Sequence, residues 1–161
     1  MQSHKMLLEV EDDFFNLIAI YSSLEGFKMA YFLNKYLDLK LQRERRDIDF
    51  NHGEIEAAYA LYAHKDPSCP VIFHLVANKF KGEPKRILSS GSLFAEEEVR
   101  PQEVYLVPEY NKVDYFLKVS EEMQQKDFSR LLTKVSQIPQ IQAAYAVDTE
   151  NLKSKQNLIF E

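Results

Sequence analysis

The sequence predicts a single α+β domain spanning residues 1–161. It should be a two-layer sandwich, with a mostly antiparallel or mixed sheet and two main helices on one face, in a ferredoxin-like or related arrangement. Three observations predict it. The length of 161 residues matches one core. Apolar runs rich in β-forming residues outnumber helical stripes. Each of the two helical stripes sits between such runs, so two strand–helix–strand units flank a hairpin.

In chain order, Lys5 to Glu11 alternates as a strand does, and Glu11-Asp12-Asp13 suits a turn. Phe14 to Tyr21 is an apolar run that reads as a more buried strand. Ser22 and Glu25 have capping-box spacing, and Leu24, Phe27, Ala30, Tyr31, Leu33 and Leu37 then form the wide stripe of a helix lying on a sheet. Leu39 to Arg46 reads as a strand whose far half is charged, as at a sheet edge. Ile55 to His64 and Val71 to Asn78 form the arms of a hairpin around Asp66-Pro67-Ser68-Cys69-Pro70. Lys79 to Ser92 is polar and reads as an exposed connection, followed by a short helical turn over Ala95 to Val99. Val104 to Val107 is a short strand stopped by Pro108, and Val113 to Val119 is the next. Ser120 caps the second helix, with Glu121 and Glu122 in its first turn, and Phe128, Leu131, Leu132, Val135 and Ile138 form its stripe up to Pro139. Ile141 to Val147 closes the sheet, and Leu158-Ile159-Phe160 reads as a docking tail.

Composition narrows the function classes. Hydrophobic residues make up 45% and charged residues 28%, which is globular. A net charge of −5 argues against nucleic acid or an anionic membrane as a broad partner, because phosphate neutralisation needs a basic face. The single Cys69 excludes an internal disulfide framework and suits a reducing cytoplasm. Acids interrupt the apolar start, so no signal peptide is expected, and the longest apolar run is too short for a membrane span.

Leu106-Val107-Pro108-Glu109-Tyr110-Asn111-Lys112-Val113-Asp114-Tyr115 carries the most recognisable pattern. It resembles the signature of a bacterial family named for Ile-Pro-Glu-x-x-x-Val-Asp-Tyr, the IPExxxVDY family. Pro108, Glu109, Val113, Asp114 and Tyr115 match it, and Val107 stands where the name has Ile. The Asn34-Lys35-Tyr36-Leu37 stretch and the Asn78-Lys79 pair fit the same likeness. The resemblance implies a fold and a bacterial origin, and no biochemical activity.

Candidate chemistry follows from the residues. Glu109 and Asp114 are carboxylates flanking a turn. They are placed for acid/base work if their environments differ, and equally for bonding turn amides. His4, His52, His64 and His74 lack ligand spacing, and in a simple hairpin pairing His64 and His74 are offset by several residues, so no metal site is expected. Cys69 reads as an incidental loop thiol. No Gly-rich phosphate loop or nucleophile elbow occurs, and no cofactor is implied. Lys79, Lys81, Lys85 and Arg86, joined by Arg43, Arg45 and Arg46, form the sharpest basic cluster, with Phe80 available to stack on a base. Strand Ile55 to Ala63 is apolar on both faces, so its second face needs a second copy, a protein partner, a ligand, or cover by the chain's own loops and C-terminal tail.

The expectation is therefore a non-enzymatic interaction or regulatory module, a homodimer through the open sheet face or the binder of a protein partner. Glu109, Asp114 and Tyr115 would be its polar contacts. The alternatives are a small-molecule binder or enzyme using the same carboxylates, and an RNA-associated protein using the Lys79–Arg86 loop.

Overall fold

A computed structural model describes residues 14–85, 100–121 and 123–160. The expected strand at Lys5 to Glu11 and helical turn at Ala95 to Val99 lie outside these residues. The protein is α+β: a six-stranded antiparallel sheet, two smaller hairpin sheets and two helices.

The main sheet comprises β1 (Asn16–Tyr21), β2 (Gln42–Arg43), β5 (Leu61–Asp66), β6 (Cys69–Ala77), β9 (Tyr115–Val119) and β10 (Ala143–Ala146), in the order β10-β1-β9-β6-β5-β2. The apolar run around β1 makes it a central strand, paired on one side with β10 and on the other with β9. Helix α1 (Gly26–Leu37) follows β1, and α2 (Gln125–Ser136) follows β9. Strand alternation sorts the core into two clusters. On one side Ile18, Ile20, Leu75 and Leu117 pack with Met29 and Leu33 of α1 and Val135 of α2. On the other, Leu17, Ala19, Val76 and Phe116 pack beneath Ala57, Tyr59, Leu106, Val107, Val113 and Leu158.

That second cluster settles what covers the sheet's far face. The cover comes from the chain itself. One part is the hairpin of β3 (Ile48–His52) and β4 (Ile55–Tyr59), a second is the ribbon of β7 (Lys79–Gly82) and β8 (Gln102–Tyr105), and the tail is the third. The run Ile55 to His64 is thus two strands rather than one. β4 belongs to a hairpin whose two-residue loop begins at Gly53 (φ 66°), and β5 belongs to the main sheet. Tyr59 and Leu61 are buried on either side of that crossing, which explains why both faces read as apolar. The tail docks as expected. Leu158 is buried, and the Asn157 side-chain amide donates to the Leu106 carbonyl (2.9 Å).

Several boundaries differ from the sequence expectation, each for a tertiary reason. Ser22 does not cap α1. Its hydroxyl donates to the Gln140 carbonyl (2.9 Å) and its amide to Asp114 (2.9 Å), so the helix begins at Gly26 with Glu25 as its cap position. Ser120 does not cap α2 but closes the β6–β9 ladder, its hydroxyl accepting from the Ile72 amide (2.8 Å). α2 starts at Gln125, so Glu121 lies ahead of the first turn and Asp127 occupies it. Leu39 to Arg46 contributes only the short β2. Lys79–Gly82, expected as exposed connection, is a strand paired with β8. Among the described residues no helix is long and apolar enough to cross a membrane.

Candidate functional site

Val107 enters the signature turn extended, Pro108 fixes the first position of a 3-10 turn (Pro108–Tyr110), and β9 begins at Tyr115. The turn is built around Asn78, which is fully buried. The Asn78 side-chain amide donates to the carbonyls of Tyr110 and Val113 (both 2.9 Å), while its carbonyl oxygen accepts from the Val107 amide (2.8 Å). Its backbone also bonds on both sides, the amide to the Asp114 carbonyl (3.0 Å) and its carbonyl accepting from Leu106 (2.9 Å). One asparagine therefore satisfies five backbone groups of residues 106–114, the amides of Leu106 and Val107 and the carbonyls of Tyr110, Val113 and Asp114. The sequence singled out Asn78 only as part of the family likeness; a polar residue ending an apolar strand was its one local signal.

The three signature side chains diverge. Asp114 accepts from the Ser22 amide (2.9 Å) and pairs with Lys79 (3.0 Å). Glu109 turns to the C-terminal segment, accepting from both the amide and the hydroxyl of Ser154 (2.7 Å each). Burial alone would raise the Glu109 carboxyl, but the hydrogen bonds from Ser154 outweigh it and hold the group below its ordinary value. The Tyr115 hydroxyl donates to the Leu24 carbonyl (2.5 Å) just ahead of α1, and burial pushes it up to about 12. Glu109 and Asp114 share no partner. Acid/base work by a carboxylate pair needs them to face one reacting group, and here each is bonded into a different segment.

The basic loop is also divided. Lys79 faces Asp114, and Lys85 pairs with Glu56 (2.8 Å). Phe80 packs edge-on against Tyr59 (6.3 Å between ring centres), on the core side of the ribbon. Lys81 is exposed, and Arg86 lies outside the described residues. A base-stacking role for Phe80 would require it to leave the core.

His64 and His74 are closer in register than expected. Ala63 pairs with His74 and His64 with Phe73, an offset of one residue. That places the two rings on opposite faces of the sheet, so they cannot share a ligand. His74 packs against Phe160 (5.1 Å between ring centres). Burial, with the neighbouring Lys118 charge, lowers it to about 4. Among the described residues no group of three or more His, Cys, Asp or Glu could hold a metal ion. Cys69 is exposed, opposite Asp66 across the hairpin end.

Two surfaces concentrate groups that the interior does not engage. One is the outward side of the helices. Phe27 and Tyr31, one turn apart on α1, are each 59% exposed. On α2, Lys126, Arg130 and Lys134 recur every fourth residue and line a shallow groove with Ser129 and Thr133. The other is a cleft of about 700 Å³ at the β2 edge, lined among others by Lys40, Arg43, Arg45, Arg46 and Lys65.

The chain matches no protein family, no curated protein and no solved structure.

Proposed function

We infer that the chain is a non-catalytic interaction module that engages an acidic protein partner through the outward face of its two helices. The observation that carries this reading is the exposed aromatic pair Phe27 and Tyr31 on α1 together with the exposed cationic row Lys126, Arg130 and Lys134 on the neighbouring α2. α1 and α2 follow antiparallel strands and run antiparallel, and the Ser22–Gln140 bond joins the start of α1 to the end of α2. The two helices therefore lie side by side, each with its row on the exposed surface. Large aromatic anchors supply most of the energy of many interfaces, and a charged rim supplies orientation and approach rate. A second copy docked on the same face would set one cationic row against the other, which disfavours self-association there.

The signature residues serve this reading as scaffold. A partner contact by Glu109 would have to break two hydrogen bonds to Ser154, and one by Asp114 would release Lys79 and the Ser22 amide. The order β10-β1-β9-β6, with one helix after β1 and another after β9, supports reading the core as ferredoxin-like with the β3–β4 hairpin, β5 and β2 added. The motif supports membership of the IPExxxVDY family.

The test is affinity capture from the native cell, followed by binding of the identified partner to purified variants. The expected partner carries an acidic surface, binds more weakly as salt rises, and is lost by Phe27→Ser with Tyr31→Ser and by Lys126→Glu with Arg130→Glu, while melting temperatures hold. Undiminished binding by both double variants would overturn the assignment, as would release by nuclease or recovery of a second copy alone.

A further inference from the structure

The cleft at the β2 edge is assembled from parts distant in sequence. β2 pairs with β5 through Gln42 opposite Ala63 and Arg43 opposite Tyr62, which sets Lys40 toward the Lys65 end of β5 and Arg45 and Arg46 at its Leu61 end. The start of β3 contributes Ile48, and Leu61 and Ala63 form the floor. Five cations line the cleft against two carboxylates, and both carboxylates are already engaged. Asp47 holds Arg43, whose guanidinium also lies over the Tyr62 ring (5.5 Å), and Glu44 pairs with Lys65 (3.7 Å). Arg45 and Arg46 have no ion-pair partner among the described residues and are exposed, while the exposed Lys40 lies in the field of Asp66. The cleft lining thus holds two adjacent arginines that no ion pair neutralises among the described residues.

We propose that this cleft binds a compact oligophosphate, the di- or triphosphate group of a small molecule. Three arguments select that class. Guanidinium groups match phosphate oxygens in paired hydrogen bonds, so adjacent Arg45 and Arg46 suit a phosphate chain better than a single carboxylate. The volume of about 700 Å³ falls in the range of small-ligand sites. The surroundings select a short anion over a polymer. Asp49 and Glu56 stand on the hairpin beyond Ile48, and Asp66 stands at the other end of β5, so a long phosphate backbone leaving the cleft would meet carboxylates. The site is separate from the helix face proposed for the protein partner, and neither depends on the other.

Calorimetric titration of the whole chain at low and physiological salt tests the assignment, with inorganic tripolyphosphate, a nucleoside triphosphate and a single-stranded RNA oligonucleotide as probes. Tripolyphosphate should bind with one-to-one stoichiometry. Arg45→Ala with Arg46→Ala should weaken it at least about tenfold, as loss of charge-assisted bonds predicts, and exposed Lys112→Ala should leave it unchanged. Tighter binding of the nucleoside triphosphate would place its base or sugar on the Ile48 wall. Equal binding would confine recognition to the phosphate chain; both results support the site. Absence of tripolyphosphate binding at low salt, indifference to the arginine variants, or a preference for RNA would overturn it.

Discussion

Asn78 offers the most direct test of how the signature turn is held. Replacing it with alanine removes the acceptor of the Val107 amide and the donor to the Tyr110 and Val113 carbonyls. The Tyr110 carbonyl keeps a second partner, the Val113 amide (3.1 Å). The Val107 amide and the Val113 carbonyl lose the side chain that satisfies them, and both residues are fully buried. Orphaning a buried backbone group costs about 1–3 kcal/mol, so two predict a loss of about 3 kcal/mol. For a chain of this length that is roughly 6–12 °C in melting temperature. Asn78→Asp sharpens the argument. It keeps the acceptor for Val107 but turns a carboxylate toward two carbonyls, so it should be worse than alanine at neutral pH and recover as acid protonates it into a donor. The chain has no Trp, so urea unfolding followed by far-ultraviolet circular dichroism is the assay. A loss below about 1 kcal/mol for Asn78→Ala, or an aspartate variant that is pH-independent and no worse, would refute the reasoning.

Two further predictions concern the far face of the sheet and the tail. His74 is lowered from its ordinary 6.5 to about 4 in the fold, by burial first and by Lys118 second. The unfolded chain therefore takes up a proton that the folded chain refuses. Stability is full above pH 6.5, falls between 6.5 and about 4, and levels off below. This lowering, discounted for partial exposure, predicts a loss of about 1–2 kcal/mol, and His74→Phe should flatten that part of the stability profile; an unchanged slope would show that other groups set it. For Glu109, a double-mutant cycle of Glu109→Gln and Ser154→Ala should give a coupling of about 0.5–1 kcal/mol in unfolding, whereas additive losses would mean that the carboxylate does not clamp the tail.

What the sequence revealed, and what it hid, divides by the range of the interactions. The helical stripes around Met29–Leu33 and Phe128–Val135, the central strand before Ser22 and the hairpin at Asp66–Cys69 were legible because each is decided by local periodicity or by a turn. The Asp66 side chain closes that turn within two residues, on the Ser68 amide (2.9 Å). Capping was misread because the competing partner was remote: Ser22 has a good local role at a helix start, but Asp114 and Gln140 claim its amide and hydroxyl across about a hundred residues. The break after Tyr59 was hidden for a related reason. Period-two alternation fixes which residues share a face but not which sheet receives the strand, so β4 and β5 looked like one strand buried on both sides. The one-residue offset of His64 and His74 was equally invisible, since it depends on a turn that includes only Pro67 and Ser68.

The ranking of candidate site residues meets the same limit, and the reason gives a usable rule. Sequence reading ranks polar residues by type and spacing, so the carboxylates of Glu109 and Asp114 stood out. Whether a polar group can bind something else depends on whether the fold has already bonded it, and that is a tertiary property. Asp114 bonds Ser22 and Lys79, Glu109 makes two bonds to Ser154 and Tyr115 bonds Leu24, and together they tie the turn to the β1–α1 connection, β7 and the tail. Breaking such bonds to receive a ligand would cost about as much as the new contacts return. Arg45 and Arg46 stand in the sequence among the acids Glu44 and Asp47, yet those acids are drawn to Lys65 and Arg43, which leaves the two arginines without an ion-pair partner among the described residues. Net charge carries the same limit. A total of −5 describes the chain, while recognition responds to the local field, and the local field is positive in the cleft and along Lys126, Arg130 and Lys134. Binding is therefore better sought where the fold leaves charge unsatisfied than where the motif is most recognisable.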